Sequence, residues 1–246
     1  MKTQTEECAR LIQEAHSISV LTGAGISTNA GIPDFRGPRG LYVTRRYDPE
    51  KVFDLNYFLH DPKPFFDFAR DFISLEANLQ PTAAHRFLAD LETKQKLNGV
   101  ITQNIDSLHQ KAGSRKVLEL HGSFLKSYCR DCIQPFSYPQ MRSKLFSEDV
   151  PRCSCGGVIK PDVVFFGENV KYLEESFRLA ESADLFFVIG TSCVVYPAAM
   201  VPTLVQGKIV IVNRDDVTLR SPNIVLSVQE DIDIFFKEVH QFLTSV

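Results

Sequence analysis

Residues 18–36 read Ile-Ser-Val-Leu-Thr-Gly-Ala-Gly-Ile-Ser-Thr-Asn-Ala-Gly-Ile-Pro-Asp-Phe-Arg, and this stretch decides the fold. Ile18 to Leu21 is a short apolar run of the kind that forms a strand buried on both faces of a parallel sheet. It runs into Gly23-Ala24-Gly25, where two glycines permit a tight turn and a close approach of backbone N–H groups to an anion. Ser27, Thr28 and Asn29 then offer side-chain oxygens for a helix start. Strand, glycine turn and helix start are the layout of a dinucleotide pyrophosphate site in a Rossmann-like, doubly wound α/β sheet. The glycines alone suit a plain turn equally well. Two departures weigh against a hydride-transferring dehydrogenase. Thr28 stands where a third glycine belongs, and no second strand ends in a ribose-binding acid about 20 residues on. Instead the chain continues as Gly31-Ile32-Pro33-Asp34-Phe35-Arg36, a loop whose Phe35 and Arg36 have no evident structural purpose.

The 246 residues suit one large domain with a small annex, burying roughly 70–75% of the unfolded surface. Lys+Arg 27 against Asp+Glu 30 leaves a net charge of −3, which implies neither nucleic acid nor an anionic membrane as a partner. The first residues, with Glu6, Glu7 and Arg10, lack the apolar segment of a secretory signal, and no apolar run approaches the ~18 residues of a membrane span. These features give an expectation of a soluble, cytoplasmic protein.

Outward from the opening stretch, Cys8, Leu11, Ile12 and Ala15 share one helical face. Residues 37–80 change character, with Phe65, Phe68, Ala69, Phe72 and Leu75 at helical spacing, and read as a helical module inserted after the first strand. Ala84, Phe87, Leu88 and Leu91 mark another helix. Residues 100–102, 117–120, 184–190 and 208–213 read as further strands of a parallel sheet. Their ends carry Gln103-Asn104-Ile105-Asp106, His121-Gly122, Gly190-Thr191-Ser192 and Asn213, and polar residues at such ends converge on one ligand crevice. Residues 162–166 read as a strand or edge segment. Ile232, Phe235, Phe236, Val239, Phe242 and Leu243 form a closing amphipathic helix. The expected organisation is therefore a nucleotide-binding domain of residues 1–36, 81–123 and 161–246, interrupted by the helical module 37–80 and a cysteine-bearing module 124–160.

Four of the six cysteines fall as Cys129-x-x-Cys132 and Cys153-x-Cys155. In a reducing compartment two close pairs favour a metal over disulfides, and four thiolates close a tetrahedral zinc shell with no position left for water. One structural Zn2+ is expected. Gly156-Gly157 allows the tight turn that such a knuckle needs. Cys8 and Cys193 read as core or crevice-wall residues. Among the histidines, His121 differs by position, directly after a buried strand and before a glycine. With an ordinary pKa near ~6.5 it is a usable base at neutral pH. The other five read as surface or core.

Together these motifs resemble the sirtuins, NAD-dependent protein deacylases, in their bacterial and archaeal form. The resemblance rests on residues 23–36, 102–106 and 121–122, the four cysteines, residues 163–168, residues 190–192 with Tyr196-Pro197-Ala198-Ala199, and Asn213, and so covers nearly the whole chain. It implies NAD as co-substrate and acetylated proteins or peptides as partners. Ala24, Thr28 and Arg36 would line the pyrophosphate and nicotinamide-ribose region, with Phe35 over the reacting ribose. Gln103 would hold a ribose hydroxyl, Asn104 would position the ribose or a water, and Ile105 and Asp106 would grip the nicotinamide carboxamide. Ser192, Asn213 and Ile232, with Asp231, would meet the adenosine side. The acyl oxygen would attack the ribose carbon as nicotinamide leaves, with His121 as general base. The products would be free lysine, nicotinamide and an O-acyl-ADP-ribose.

The segment 163–167 offers an edge on which a substrate peptide could add as a strand. Val164, Phe166 and Gly167 would contact it, although ordinary core packing also suits Val164 and Phe166. Acid-selective relatives carry a Tyr-x-x-Arg pair on a helix of the small module. None lies in residues 55–80, and Tyr42-x-x-Arg45 sits elsewhere, so acetyl or a longer neutral acyl group is expected. A mono-ADP-ribosyltransferase would share the same NAD site, and an inactive binding module would be expected to lack Asn104, Asp106 or His121.

Overall fold

The computed structural model describes residues 3–33, 47–76 and 78–244. Phe35, Arg36, Tyr42 and Arg45 lie outside the described residues. The strands in chain order are β1 (Ile18–Thr22), β2 (Leu97–Thr102), β3 (Val117–Glu119), β4 (Gly122–Cys129), β5 (Pro135–Ser137), β6 (Ile159–Val163), β7 (Leu185–Ile189), β8 (Lys208–Asn213) and β9 (Ile224–Gln229). The chain forms two compact units, one of residues 1–32, 80–120 and 172–246, the other of residues 33–79 and 121–171.

The first unit holds a six-stranded sheet in the order β3-β2-β1-β7-β8-β9, with every pairing parallel. Alternation along each strand divides its core in two. Ile18, Val20, Phe187, Ile189, Val210 and Val212 pack with the helices Gln4–Glu14, Ala83–Thr93 and Ile232–Thr244. Leu21, Phe186, Val188, Ile209 and Ile211 pack on the other side with Leu179 and Ala180 of the helix Leu173–Glu181 and with residues 198–205. A sheet covered on both faces needs strands apolar at every position, and β7 is buried throughout as Leu-Phe-Phe-Val-Ile. The order reverses between β1 and β7, which is the topological switch point where open α/β sheets take ligands at their carboxyl ends. Two of these helices are capped by side chains. Thr3 and Glu6 form a reciprocal cap on the first helix, and Thr82 caps Ala83–Thr93 through the His85 N–H.

The second unit combines the helices Leu55–His60 and Lys63–Glu76 with a three-stranded antiparallel sheet, β5-β4-β6. Phe58, Phe65, Phe66, Phe68, Phe124 and Phe165 are buried and meet edge-on or stacked, so the phenylalanines of this module are core. Residues 121–123 and 161–171, assigned from the sequence to the nucleotide-binding domain, cluster with this unit. The reason is pairing: β6 lies against β4, with Val163 opposite Gly122 and Ile159 opposite Cys129. Gly122 is required there. Its φ is +69°, and a Cβ would sit 1.8 Å from the Asp162 carbonyl oxygen. Among the described residues no helix is long and apolar enough to cross a membrane.

Candidate active site

The glycine turn is built by close approach to β7 and its following residue. Gly23 N–H donates to the Ile189 carbonyl at 3.0 Å, and Gly25 N–H donates to the Gly190 carbonyl at 2.9 Å. A Cβ on Gly25 would lie 2.7 Å from the Gly190 Cα, and one on Gly23 would lie 2.8 Å from the Gly190 oxygen. These N–H groups were expected to face an anion. They are instead engaged by the neighbouring strand, so the glycines serve packing at the switch point. The chain then winds as a 3₁₀ helix, Ala24–Ala30, ended by Gly31 at φ 103°. Ala24 and Thr28 are half-buried on it, and Thr28 Oγ1 donates to the Gly25 carbonyl at 3.0 Å.

The turn after β2 lies against this helix. Asn104 Nδ2 donates to the Gly23 carbonyl and to Ser27 Oγ, both at 3.1 Å. Ser27 Oγ donates to Asp106 Oδ2 at 2.6 Å, and Leu108 N–H donates to Asp106 Oδ1 at 2.9 Å. Burial pushes the Asp106 carboxyl above its ordinary value, while the Ser27 hydroxyl and Leu108 N–H hold it back. Gln103 Nε2 donates to Thr191 Oγ1 at 2.9 Å, tying the β2 turn to the residues after β7. Ile105 is half-buried between these polar neighbours. Ala24, Thr28, Gln103, Asn104, Ile105 and Asp106 thus share the carboxyl edge of β1, β2 and β7. Ser27, which links Asn104 to Asp106, was read from the sequence only as a helix-start oxygen.

Farther along the sheet, the Ser192 carbonyl accepts from Thr218 N–H and Oγ1, and Asn213 Nδ2 donates to the Asp215 carbonyl at 2.7 Å. Asp231 accepts from Asn29 Nδ2 and from Arg214, joining the 3₁₀ helix to the end of β8. The Ile232 side chain is buried in the core.

In the second unit, His121 is half-buried immediately before β4, and its carbonyl accepts from Val164 N–H at 2.8 Å. Past Val164 the chain leaves the β4 ladder. Phe166 N–H donates to the Phe53 carbonyl at 2.7 Å, and its carbonyl accepts from Leu55 N–H at 3.1 Å. Phe165 N–H donates to Glu168 Oε2 at 2.8 Å, while its carbonyl accepts from Glu168 N–H. The edge expected along residues 163–167 is therefore largely engaged by the protein itself. Val164 stays half-buried, and Phe166 and Gly167 are exposed. Lys160, nearly buried, donates to the Val163 carbonyl at 2.6 Å and to Glu168 Oε2 at 2.8 Å. Glu168 entered the sequence reading only as the last residue of the 163–168 motif, and Lys160 carried no signal there.

The cysteine module passes a geometric test for zinc. The four Sγ atoms all lie within 4.8 Å of one another, with Cys129–Cys155 at 3.5 Å and Cys132–Cys153 at 3.7 Å. A Zn–S distance of about 2.3 Å puts tetrahedral sulfurs about 3.8 Å apart. A Cβ at Gly157 would intrude to 2.7 Å from Cys129 Sγ. The Cys155 N–H pulls the Cys153 thiol down to about 7, and the Cys132 N–H lowers Cys129. The Gln134 and Gly157 N–H groups pull Cys132 and Cys155 down, but both are raised on balance, Cys132 by the other three sulfurs and Cys155 by those of Cys129 and Cys153. Four sulfurs crowded in this way ionise together only around a cation. Cys129, Cys132, Cys153 and Cys155 fit a structural zinc site.

The sequence model of the Sir2 family matches residues 23–197, and the chain belongs to that family. An NAD-dependent protein deacetylase of Thermotoga maritima is 46% identical over 214 residues, covering 85% of this chain and 86% of its own. A solved Sir2 complex with a p53 peptide and NAD+ superimposes with a TM-score of 0.88 at 41% identity, covering 98% of both chains. Another, with a deacetylated p53 peptide and 3'-O-acetyl ADP-ribose, gives a TM-score of 0.90 at 41% identity, covering 97% of this chain and 98% of that one.

Proposed function

We propose that this chain is an NAD-dependent protein lysine deacetylase, moving an acetyl group from a lysine side chain to the ribose of NAD with release of nicotinamide. The products are free lysine, nicotinamide and O-acetyl-ADP-ribose. The observation that carries the reading is the Ser27–Asn104–Asp106 cluster at the carboxyl ends of β1 and β2, which stands where a dehydrogenase would place a ribose-binding acid. Family membership and relatives named as NAD-dependent protein deacetylases support the same reaction.

Ala24 and Thr28 are assigned to the pyrophosphate and nicotinamide-ribose region, together with Phe35 and Arg36. Gln103 is assigned to a ribose hydroxyl, Asn104 to the reacting ribose, and Ile105 with Asp106 to the nicotinamide carboxamide. Ser192, Asn213 and Ile232 are assigned to the adenosine side. For Ile232 the contact falls to the backbone, because its side chain is in the core. Holding the ribose in a water-poor site and aligned for attack lowers the barrier without a strong protein nucleophile. His121 takes a proton from a ribose hydroxyl as general base. Acetylated proteins or peptides are held by Val164, Phe166 and Gly167, and the exposure of Phe166 and Gly167 suits a peptide contact. The zinc-binding cysteines hold β4 and β6 in register. Four thiols kept as a metal set suit the reducing cytoplasm, where we place the reaction.

The test is mass spectrometry of an acetyl-lysine peptide with and without NAD. Acetyl loss matched by nicotinamide and O-acetyl-ADP-ribose is expected, and His121→Ala should abolish it while NAD binding persists. Nicotinamide release with acetyl retained and ADP-ribose on protein would replace this reading with a transferase.

A further inference from the structure

Two histidines outside the proposed chemistry are buried side by side in the first unit. His85 lies in the helix Ala83–Thr93 and is fully buried; His109 lies in the helix Leu108–Ala112 and is 1% exposed. Their ring centroids are 4.6 Å apart. Each imidazole is tied to one of the two turns that carry the nucleotide residues.

His109 Nε2 lies 2.9 Å from Thr22 Oγ1, at the end of β1. Thr22 Oγ1 donates its only proton to Thr102 Oγ1, at the end of β2, across 2.9 Å. Thr22 must therefore accept from a His109 Nε2–H, which fixes that tautomer. Thr102 Oγ1 in turn accepts from the Asn104 N–H at 3.1 Å. On the other side, His85 Nδ1 accepts from the Thr82 N–H at 3.2 Å, so in the neutral ring the hydrogen sits on Nε2. Thr82 Oγ1 lies 2.8 Å from this bare His85 Nδ1 and 3.2 Å from the Ile26 carbonyl within the 3₁₀ helix, and its one proton is shared between the two acceptors.

The remaining ring atoms, His85 Nε2 and His109 Nδ1, have no partner among the described residues. One is an N–H donor and the other a bare acceptor, so the two neutral rings are complementary. A buried polar atom without a partner is costly and persists where the rest of the side chain is constrained by something else. Here the constraint is the run His109–Thr22–Thr102–Asn104 and its counterpart His85–Thr82–Ile26.

We propose that His85 and His109 are positioning residues for NAD, which hold the 24–30 helix and the 103–106 turn in one mutual placement through the threonines. The proposal rests on the reading of those two turns as the nucleotide site. It follows that the residues act on NAD affinity and leave the peptide contacts, carried by the second unit, unaffected.

The experiment measures NAD binding by calorimetry and the KM for acetyl peptide in His109→Leu, His109→Gln and Thr22→Val. Gln retains an uncharged N–H donor in about the place of Nε2, whereas Leu and Val break the run. His109→Leu and Thr22→Val should each weaken NAD by about tenfold, the loss of one well-made buried hydrogen bond, with peptide KM unchanged. His109→Gln should stay within about threefold of wild type, and the Leu/Val double variant should be no worse than either single. If His109→Leu does not fold, Thr22→Val carries the comparison alone. Variants that bind NAD like wild type, or that weaken NAD and peptide alike, would overturn the positioning role. Wild-type protein that fails to bind NAD would instead overturn the nucleotide reading and the proposal with it.

Discussion

Ser27 Oγ stands 2.6 Å from Asp106 Oδ2, and this bond closes the turn after β1 onto the turn after β2. It meets a carboxyl that burial has raised above its ordinary value. A carboxyl raised on folding favours the folded state below its unfolded pKa, and that contribution disappears as pH rises through the folded pKa. Ionised Asp106 therefore costs stability near neutral pH. Asp106→Asn should melt higher than wild type at neutral pH, with the advantage shrinking as pH falls, while kcat/KM for NAD drops by roughly a hundredfold. Melting curves across pH beside steady-state kinetics check both, and a variant that melts lower at neutral pH would refute the account.

Lys160 and Glu168 form a second such constraint, with side chains 10% and 26% exposed. Burial lowers the Lys160 ammonium, and Glu168 opposes that shift. Removing one partner of a buried pair costs roughly 3–5 kcal/mol, and the partial exposure of Glu168 reduces this to about 2. Lys160→Met should lower Tm by several degrees and raise peptide KM with NAD KM unchanged. Lys160→Met combined with Glu168→Gln should be milder than Lys160→Met alone. Equal changes in both KM values would remove the pair from the peptide segment.

Acid should weaken the fold through the buried imidazoles. Burial pushes His85 from 6.5 to about 4, with Asp233 opposing and Arg86 assisting, and His109 is lowered in the same sense. A depressed folded pKa gives stability that is present above the unfolded value and lost as pH falls toward the folded one. The window is thus pH 6.5 to about 4. For His85 the loss is on the order of 3 kcal/mol. Urea midpoints measured through that window should fall steeply for wild type and less steeply for His85→Gln.

Zinc removal should act on the second unit. Structural zinc typically contributes about 10–16 kcal/mol of binding energy to folding. A strong chelator should release one zinc per chain and abolish activity, and Cys129→Ser should purify without metal. A chelated protein with unchanged melting and activity would show that the sulfurs need no ion.

The legible parts of this chain are those where burial leaves few options. β7 and β8, enclosed on both faces, had to be continuous apolar runs, and the cysteine pairs had to be close in sequence to form a knuckle. β9 was missed because it is an edge strand with exposed residues between its apolar ones. The placement of residues 161–171 depended on which strand β6 pairs with, a long-range fact that local pattern does not encode. Within the site, Asn104, Asp106 and Gln103 stood out by their position after a strand. Ser27, Lys160, His85 and His109 did not, because a side chain that acts by holding another has no sequence signature of its own. The two histidines read as ordinary surface or core, and their location became informative only through Thr22, Thr82 and Thr102.

The parallel order of the large sheet also has a consequence for how the protein comes off the ribosome. β1 is flanked by β2 and β7, so Ile18 must await Leu185 before its second edge is covered. Through most of translation the first strand made remains half-paired, with apolar side chains open to collisions between chains. Nascent chains stalled before residue 185 should therefore depend on chaperones, and the all-parallel sheet that creates the nucleotide crevice is assembled only near the end of synthesis.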